Sequence, residues 1–484
     1  MAFNQKLGAL ATAYAEWIAE QETEVKRPDP GLKPYVPMAK EALKKCSRTL
    51  ERIRKGLNLI SSDEQAAEAF RFANRAMWLQ RVRSIYAERF RRDQDPNLEL
   101  IDIPENRSWY PFQLAFILLN LPSLTNLHHP DRTEQAQAVS DLLWFPTGGG
   151  KTEAYLGLAA YAMAIRRLQG TVAGHSGLHG VAVLMRYTLR LLTLQQFQRA
   201  SALICACEVI RREACAKGYN RWGDDPFRIG LWVGQRTTPN RTEDSAESIK
   251  RDHGFYSGGS VGGGSGTPAQ LTHCPWCGSR IDPGKDIVVE RFQEGRGRSL
   301  IYCSDKTFTC PFTRKNADKE GLPVVVVDEE IYRRLPALLI STVDKFAPMP
   351  CKGETQMLFG RVNGYCPRHG FRSSEIEDSD SHPKKGNLPA VKSVELGPLR
   401  PPDMIIRDEL HLISGPLGTL VGHYETAVDE LAAWEVDGHI IRPKVIASTA
   451  TIRRALDQVH SLFLRRANVF PPQGIDYSFA FFRV

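Results

Sequence analysis

Apolar positions recur at helical spacing through the first hundred residues and give way to short apolar runs beyond residue 140. Leu7, Leu10, Tyr14 and Ile18 share one helical face, and prolines interrupt the helical pattern at residues 27–37. The later part alternates helical stretches with the apolar runs DLLWF, VAVLM, RIGLWV, ALLIST, DMIIRD and KVIAST. This alternation predicts an α/β fold in which helices cover both faces of a parallel sheet, preceded by a helical region.

Glycine content marks an insertion in the α/β part. Residues 254–268 hold seven glycines among fifteen residues, which is typical of a flexible linker, and spaced cysteines follow directly. A second irregular stretch, rich in Gly, Pro and Ser, covers residues 350–400 and predicts a surface excursion. The predicted organisation is a helical domain (1–105), the first part of the α/β lobe (106–235), an insertion (236–335) with a cysteine module at about 271–315, the second part of the lobe (336–475) and the truncated start of a further segment (476–484).

Composition narrows the class of protein only a little. Among 484 residues, 42% are apolar and 24% are charged, so the chain is able to bury a core. A net charge of +8 is compatible with a polyanionic partner without requiring one. Ten cysteines are too few for a secreted disulfide framework, and no secretory signal or membrane span stands out. We therefore expect a cytoplasmic protein that does not enter a membrane.

The segment from Leu142 to Thr152 joins an apolar run, a glycine loop and a Lys-Thr pair that opens a helix. In such a loop the backbone N–H groups converge on a phosphate, Lys151 reaches the β- and γ-phosphates, and the Thr152 hydroxyl binds Mg²⁺. Phe145 stands where the general phosphate-loop pattern has its first glycine. The predicted nucleotide-binding residues of this loop are Thr147, Gly148, Gly149, Gly150, Lys151 and Thr152.

Two carboxylates follow the apolar run at residues 404–406. Asp408 is predicted to hold Mg²⁺, and Glu409 is predicted to orient and deprotonate the attacking water. Taken alone, such a pair is more often a helix cap and a surface charge. The phosphate loop upstream favours the catalytic interpretation.

The apolar run at residues 444–447 ends in small hydroxyl residues. Ser448, Thr449 and Thr451 are candidates for coupling the acidic pair to the rest of the molecule. Either Ser448 or Thr449 faces the acidic pair, and an ordinary core strand is the alternative interpretation.

Two further strand ends carry residue types that bind nucleic-acid phosphates without reading sequence. Arg186, Thr188 and Arg190 follow one apolar run, and Thr342 ends another. Guanidinium and hydroxyl groups are the usual donors to a phosphate backbone. These four residues are the predicted nucleic-acid contacts.

Gln113 closes an aromatic cluster at residues 109–113. An aromatic ring and a glutamine can together stack on adenine and hydrogen-bond its edge. A buried aromatic cluster at the start of a helix is an equally good interpretation.

The cysteine module contains two pairs of thiols. Cys274 and Cys277 form a C-x-x-C-G turn, and Cys303 and Cys310 follow at a wider spacing. Four thiolates from two turns predict a tetrahedral zinc-ribbon-like site, and a redox C-x-x-C pair is the alternative. Cys366 and His369, with Cys351 upstream, are either half of another metal site or a source of one ligand for the first.

The order of these motifs resembles superfamily 2 helicases. Residues 146–152 resemble motif I, residues 408–411 the DExH form of motif II, and residues 444–451 motif III, while residues 181–196 and 338–346 resemble motifs Ia and Ib. The resemblance implies a RecA-like P-loop NTPase lobe that uses ATP and Mg²⁺, with Lys151, Asp408, Glu409 and His411 as its catalytic residues. His411 would couple hydrolysis to motif III.

Longer stretches at residues 70–77, 145–153 and 408–418 resemble the DrmA-like helicase subunits of bacterial DISARM antiphage systems. The resemblance implies an ATP-driven helicase or translocase on single- or double-stranded DNA that works with a DrmB-like protein.

A two-lobed motor closes ATP between two lobes, and the 33 residues after Thr451 are too few for a second one. We expect that lobe in a longer chain or in another chain, and weak hydrolysis without it. The alternative function is a nucleotide-gated DNA-binding or scaffolding subunit without motor activity, which would use the zinc module and the seven arginines between Phe70 and Arg92 for its contacts. A small-molecule kinase fits less well because it leaves the motifs at 408–411 and 444–451 without a joint purpose.

Overall fold

The structure is a computed structural model. It describes residues 2–27, 30–134, 137–145, 148–188, 190–252, 266–290, 296–376, 378–386, 388–413, 415–449, 454–475 and 481–482.

Helices alternate with strands beyond residue 138, and the described residues before it form helices and turns. The α-helices are α1 (Ala2–Lys26), α2 (Val36–Ser62), α3 (Glu64–Arg91), α4 (Leu98–Ile101), α5 (Pro111–Thr125), α6 (Pro130–Thr133), α7 (Lys151–Gln169), α8 (Arg190–Ala216), α9 (Thr242–Asp252), α10 (Pro283–Asp286), α11 (Asp328–Arg334), α12 (Gly415–Leu431) and α13 (Ala455–Phe463). The strands are β1 (Val139–Trp144), β2 (Thr171–Val172), β3 (His175–Ser176), β4 (Val183–Tyr187), β5 (Ile229–Trp232), β6 (Ile287–Glu290), β7 (Arg298–Ile301), β8 (Val324–Val325), β9 (Leu338–Thr342), β10 (Gly364–Cys366), β11 (Gly370–Arg372), β12 (Ser381–His382), β13 (Val391–Lys392), β14 (Val394–Glu395), β15 (Met404–Arg407), β16 (Trp434–Val436), β17 (His439–Ile441), β18 (Lys444–Thr449) and β19 (Arg466–Phe470).

Eight strands form one sheet in the order β19-β1-β18-β15-β4-β9-β5-β8. Every neighbouring pair in it is parallel. The parallel α/β fold predicted from the alternating pattern is confirmed at this level. Because all strands run the same way, their carboxyl ends meet at one edge, where β1, β18 and β15 lie side by side.

Both faces of the sheet are covered. Neighbouring residues of one strand enter different cores, so Leu142 packs in one hydrophobic cluster and Leu143 in the other, as do Ile405 and Ile406. One cluster holds α2, α3, α5, α7 and α8, and the other holds α11, α12 and α13. Burial on both sides explains why the strands read as continuous apolar runs rather than alternating ones.

The N-terminal helices pack directly on the sheet layer. Arg52 of α2 donates two hydrogen bonds of 2.6 and 2.7 Å to the carboxylate of Asp141 in β1. Phe72 of α3 lies against Trp222 and Phe227, with ring centroids 4.5 and 5.5 Å apart. The helical region therefore shares one core with the α/β part.

Small antiparallel sheets lie outside the large sheet, in the insertion and in the excursion. In the predicted insertion, β6 and β7 form an antiparallel hairpin, whereas β8 belongs to the edge of the large sheet. In the excursion at residues 350–400, β10 pairs with β11 and β14, and β12 pairs with β13. The predicted glycine linker lies mostly outside the described residues, since these omit 253–265.

Across the described ranges, no helix has both the length and the apolar character needed to cross a bilayer.

Candidate nucleotide-binding site

The glycine loop lies at the carboxyl edge of the sheet, between the end of β1 and the start of α7. Helix α7 begins at Lys151, and Gly150 before it has φ of 84°, which favours glycine. A Cβ on Gly150 would lie 2.7 Å from Nε2 of Gln113. The predicted loop residue Thr147 lies outside the described residues.

Lys151 is buried, and its ammonium group has no hydrogen-bond partner in the part of the chain that the structure describes. Only 6% of the residue is exposed, and Nζ forms no hydrogen bond with any described residue. A buried unpaired charge is costly, so such a group calls for an anion. The arrangement at the helix N-terminus fits the phosphate groups of a nucleotide.

Asp408 directly follows β15, next to the loop. Its carboxylate accepts hydrogen bonds from the Tyr155 hydroxyl at 2.6 Å and from the Ser448 hydroxyl at 2.7 Å. Tyr155 OH also lies 3.0 Å from the Thr152 hydroxyl. The two predicted Mg²⁺ ligands, Thr152 and Asp408, therefore share one bridging phenol. Burial and the Asp408 carboxylate raise the pKa of Tyr155 well above its usual range, so the phenol stays protonated and acts as a donor.

The sequence left open which of the two hydroxyls at the end of β18 faces the acidic pair. In the structure the two hydroxyls contact different residues of the acidic motif. Ser448 bonds Asp408, while Oγ1 of Thr449 lies 3.3 Å from Nδ1 of His411. The same nitrogen lies 3.3 Å from Oε2 of Glu409. Both Ser448 and Thr449 thus face the acidic motif. Thr451 lies outside the described residues.

Glu409 has φ of 51°, an uncommon conformation for a residue with a side chain. It starts the short turn at Leu410–Leu412. Backbone strain of this kind persists when surrounding structure enforces it, and it is frequent at functional sites.

A cleft of about 1790 Å³ opens in front of these groups. Gln113 lies on its wall, accepting from the backbone N–H of Tyr110 at 3.0 Å and donating to the Gly150 carbonyl at 2.9 Å. Gln113 therefore connects α5 to the glycine loop. Its predicted contact with adenine stays a prediction, and the half-exposed ring of Tyr110 lines the same cleft.

A curated relative supports the resemblance seen in the sequence. The chain is 38% identical over 484 residues to the DISARM protein DrmA of Bacillus paralicheniformis, an alignment that covers 99% of this chain. The chain is therefore similar to this DrmA protein. It spans about 40% of the length of that relative. No protein-family model matches the sequence.

Two of the four predicted nucleic-acid contacts, Arg186 and Thr342, are buried. Arg186 is 1% exposed and forms an ion pair with Glu425, so its position does not fit the predicted phosphate contact. Thr342 is buried at the end of β9, and Thr188 is half-buried after β4. Arg190 is the first residue of α8. The sequence carried no sign of the Arg186–Glu425 pair, because 239 residues separate its partners.

The four cysteines of the insertion come together as predicted. The sulfurs of Cys274, Cys277, Cys303 and Cys310 all lie within 4.8 Å of one another. The C-x-x-C-G turn packs on α3, where Arg83 lies 4.5 Å above the ring of Trp276. This cluster can hold a zinc ion.

Tyr155 is the residue of the site that the sequence did not reveal. It stands inside a helix of mostly apolar residues, where a tyrosine ordinarily indicates a core position. Its spacing of three residues from Thr152, which places both on one helix face, was the available signal.

Proposed function

We propose that the chain is the ATP-binding lobe of a DNA helicase or translocase that acts in bacterial antiphage defence. The buried ammonium of Lys151 at the start of α7, which has no hydrogen-bond partner among the described residues, carries the proposal of nucleotide binding. The parallel sheet, with β1, β18 and β15 adjacent, is compatible with a RecA-like lobe. The defence role rests on the similarity to a DISARM protein.

In this proposal Lys151 and the backbone of the glycine loop hold the β- and γ-phosphates of ATP. Thr152 and Asp408 are placed to hold Mg²⁺, which neutralises charge on the phosphates when bound. Tyr155 keeps the Thr152 hydroxyl and the Asp408 carboxylate oriented, through contacts of 3.0 and 2.6 Å.

Glu409 is the proposed base. Its carboxylate would accept the proton of the attacking water, and the contact between Oε2 and Nδ1 of His411 places a second titratable group beside it. Because His411 also faces Thr449 on the neighbouring strand, a change at Glu409 would reach β18 through this contact. This contact gives the proposed coupling a physical route.

The DNA partner, a DrmB-like protein partner and a second lobe that completes the ATP site are part of the same proposal. Their support is the similarity to DrmA and the motif order. The zinc ion proposed at the four cysteines would be structural, because a small module with little core of its own needs a metal to fold.

Hydrolysis and DNA translocation of the full-length protein test the motor proposal. We expect Lys151→Ala and Glu409→Gln to remove DNA-stimulated ATP hydrolysis, Lys151→Ala by loss of binding and Glu409→Gln by loss of chemistry with binding retained. Lys55→Ala is the matched control, since Lys55 is exposed on α2 and pairs only at the surface. Wild-type hydrolysis in both site variants would refute a catalytic site here. Nucleotide-dependent DNA binding without hydrolysis would favour the scaffolding alternative.

A further inference from the structure

A second group of metal-binding side chains lies in the excursion at residues 350–400. One ligand atom from each of Cys366, His369, Asp378 and His382 lies within 4.8 Å of every other. Cys366 ends β10, His369 stands in the turn before β11, and His382 is in β12. We propose that these four side chains form a zinc site, separate from the four-cysteine cluster and from the nucleotide site.

All four side chains are taken out of water. The side chains of Asp378, His369 and His382 are 1%, 6% and 9% exposed, and Cys366 is fully buried. Nε2 of His382 is buried and forms no hydrogen bond with any described residue, although it lies 3.4 Å from Oδ1 of Asp378. A buried, unpaired ring nitrogen that faces a carboxylate is the arrangement a cation would satisfy.

The turn that carries the first two ligands has the same pattern as the turn of the four-cysteine cluster. Cys366-Pro-Arg-His369-Gly370 matches Cys274-Pro-Trp-Cys277-Gly278, with histidine in place of the second cysteine. The glycine after each pair has positive φ, 101° at Gly370 and 84° at Gly278. In the second turn the backbone N–H of His369 points to Sγ of Cys366, 3.4 Å away, a contact that stabilises a thiolate.

Neighbouring elements fix this ligand set. Arg296 donates to Oδ1 of Asp378 at 2.5 Å, and Arg333 of α11 donates to the His369 carbonyl at 3.2 Å. A Cβ on Gly370 would lie 2.3 Å from the Arg333 carbonyl oxygen, so this turn is pressed against the end of α11. An ion held here would fasten the excursion to α11 and to the segment around residue 296.

The donor set selects the metal. One thiolate, two imidazoles and one carboxylate are ligands of zinc, whereas Mg²⁺ and Ca²⁺ take oxygen alone. Ligand atoms at about 2.0–2.3 Å from a tetrahedral ion lie about 3.3–3.8 Å from one another, so the observed spread needs only small side-chain adjustments. Cys351 is exposed and is not part of the cluster.

The rival interpretation is a polar core without metal. The hydrogen bond of 2.9 Å between Nδ1 of His369 and Oδ2 of Asp378 is sufficient for it. That interpretation leaves Nε2 of His382 3.4 Å from Oδ1 of Asp378 without a hydrogen bond to any described residue, and it gives the Cys366 sulfur only the N–H of His369. It predicts no change in metal content when Cys366 or His382 is replaced.

Zinc content per chain, measured by elemental mass spectrometry on the purified protein after incubation with Zn²⁺ and desalting, tests the proposal. We expect Cys366→Ser and His382→Gln each to lower the content by one zinc per chain. Cys351→Ser is the matched control in the same excursion and should leave the content unchanged. Equal zinc content in wild type and in folded His382→Gln would overturn the proposal.

X-ray absorption at the zinc edge of the wild-type chain avoids dependence on variants that fail to fold. Two loaded sites present five sulfur and three nitrogen or oxygen ligands to two ions, which averages to 2.5 sulfurs per zinc. The four-cysteine cluster alone gives four sulfurs per zinc. An average of four sulfurs, with no nitrogen or oxygen ligand, contradicts the second site, and an intermediate average together with the loss in His382→Gln supports it.

Discussion

Two lysines are buried at opposite ends of neighbouring strands, and only one of them has hydrogen-bond partners among the described residues. Lys444, at the amino end of β18, is fully buried, and its ammonium contacts Asp131 at 2.6 Å, Asp141 at 2.8 Å and the Val139 carbonyl at 2.7 Å. Lys151, beyond the carboxyl end of β1, is almost as buried and has no hydrogen-bond partner among the described residues. A buried lysine is thus paired within the protein at the amino edge of the sheet, whereas a buried lysine at the carboxyl edge is available to a ligand.

Two aspartates at opposite ends of β15 show the same difference between the amino and carboxyl edges of the sheet. Asp403, just before β15, lies between Arg132, Arg166 and Arg400 at 3.1, 2.9 and 2.6 Å. Asp408, just after β15, is bound by the neutral hydroxyls of Tyr155 and Ser448. Charged groups at the amino edge are paired within the protein, whereas in the proposed nucleotide site Lys151 would pair with a bound phosphate and Asp408 with a cation. Stability should therefore depend on the first set and nucleotide binding on the second.

Acidification should have the largest effect on stability. Burial alone would raise the pKa of Asp403, but the guanidiniums of Arg400, Arg166 and Arg132 hold it well below its usual range, and Arg52 and Lys444 do the same for Asp141. The stability that such depressed groups contribute is complete above the ordinary aspartate pKa of about 4 and is lost as pH falls through the folded values. Denaturant unfolding at pH 7 and at pH 3 should differ by several kcal/mol in total, at about 1–2 kcal/mol for each strongly paired carboxylate, because pH 3 lies below the unfolded pKa values but above the folded ones. A flat profile would show that the amino-edge charges are not balanced as described.

Asp403→Asn should have the next largest effect. The variant leaves three buried guanidiniums without their shared anion, and breaking a buried pair in this way costs about 3–5 kcal/mol. Denaturant unfolding at pH 7 measures the loss. Asp437→Asn is the control, because the Asp437 side chain is 81% exposed. Equal stability of the two variants would contradict the structural role of Asp403.

Lys444→Met should destabilise somewhat less. Asp131 and Asp141 lose the ammonium, but Arg52 still lies 2.6 Å from Asp141. We expect a loss near the lower end of the range of about 3–5 kcal/mol. The melting temperature compared with that of Lys55→Met, at an exposed position of α2, checks it.

Lys151→Met should have the smallest effect on stability. Removal of an unpaired buried charge leaves no partner stranded, so the free energy of unfolding should stay within about 0.5 kcal/mol of wild type or rise. The comparison with Lys444→Met is direct because the two substitutions are the same. A loss as large as that of Lys444→Met would mean that Lys151 has a structural partner after all.

The fold could be predicted as far as its signals are local. Six of the eight strands of the large sheet correspond to the apolar runs in the sequence, because strands buried on both faces are continuously apolar. The edge strands β8 and β19 escaped prediction. The first has only two residues, and the second, Arg466–Phe470, begins with a charged residue and lacks a clear apolar run.

The site could be predicted where its chemistry is contiguous. Each of its predicted parts has a signal within a short stretch of sequence. These parts are the glycine loop, the pair Asp408 and Glu409, and the two cysteine pairs. Of the proposed second metal cluster only Cys366 and His369 could be predicted, because Asp378 and His382 are brought to them only by the folding of the loop that follows β11. Arg186 was assigned to nucleic acid for a similar reason, since its partner Glu425 is visible only once α12 is packed.

Binding of ATP with Mg²⁺ to the wild-type chain and to Lys151→Met, measured by titration calorimetry at matched folded stability, tests the central claim most directly. The unpaired ammonium should contribute about 1.5–3 kcal/mol to phosphate binding, so the variant should bind roughly tenfold to a hundredfold more weakly. Equal affinity of wild type and Lys151→Met, with Lys55→Met as the control, would contradict the assignment of the carboxyl edge to a nucleotide.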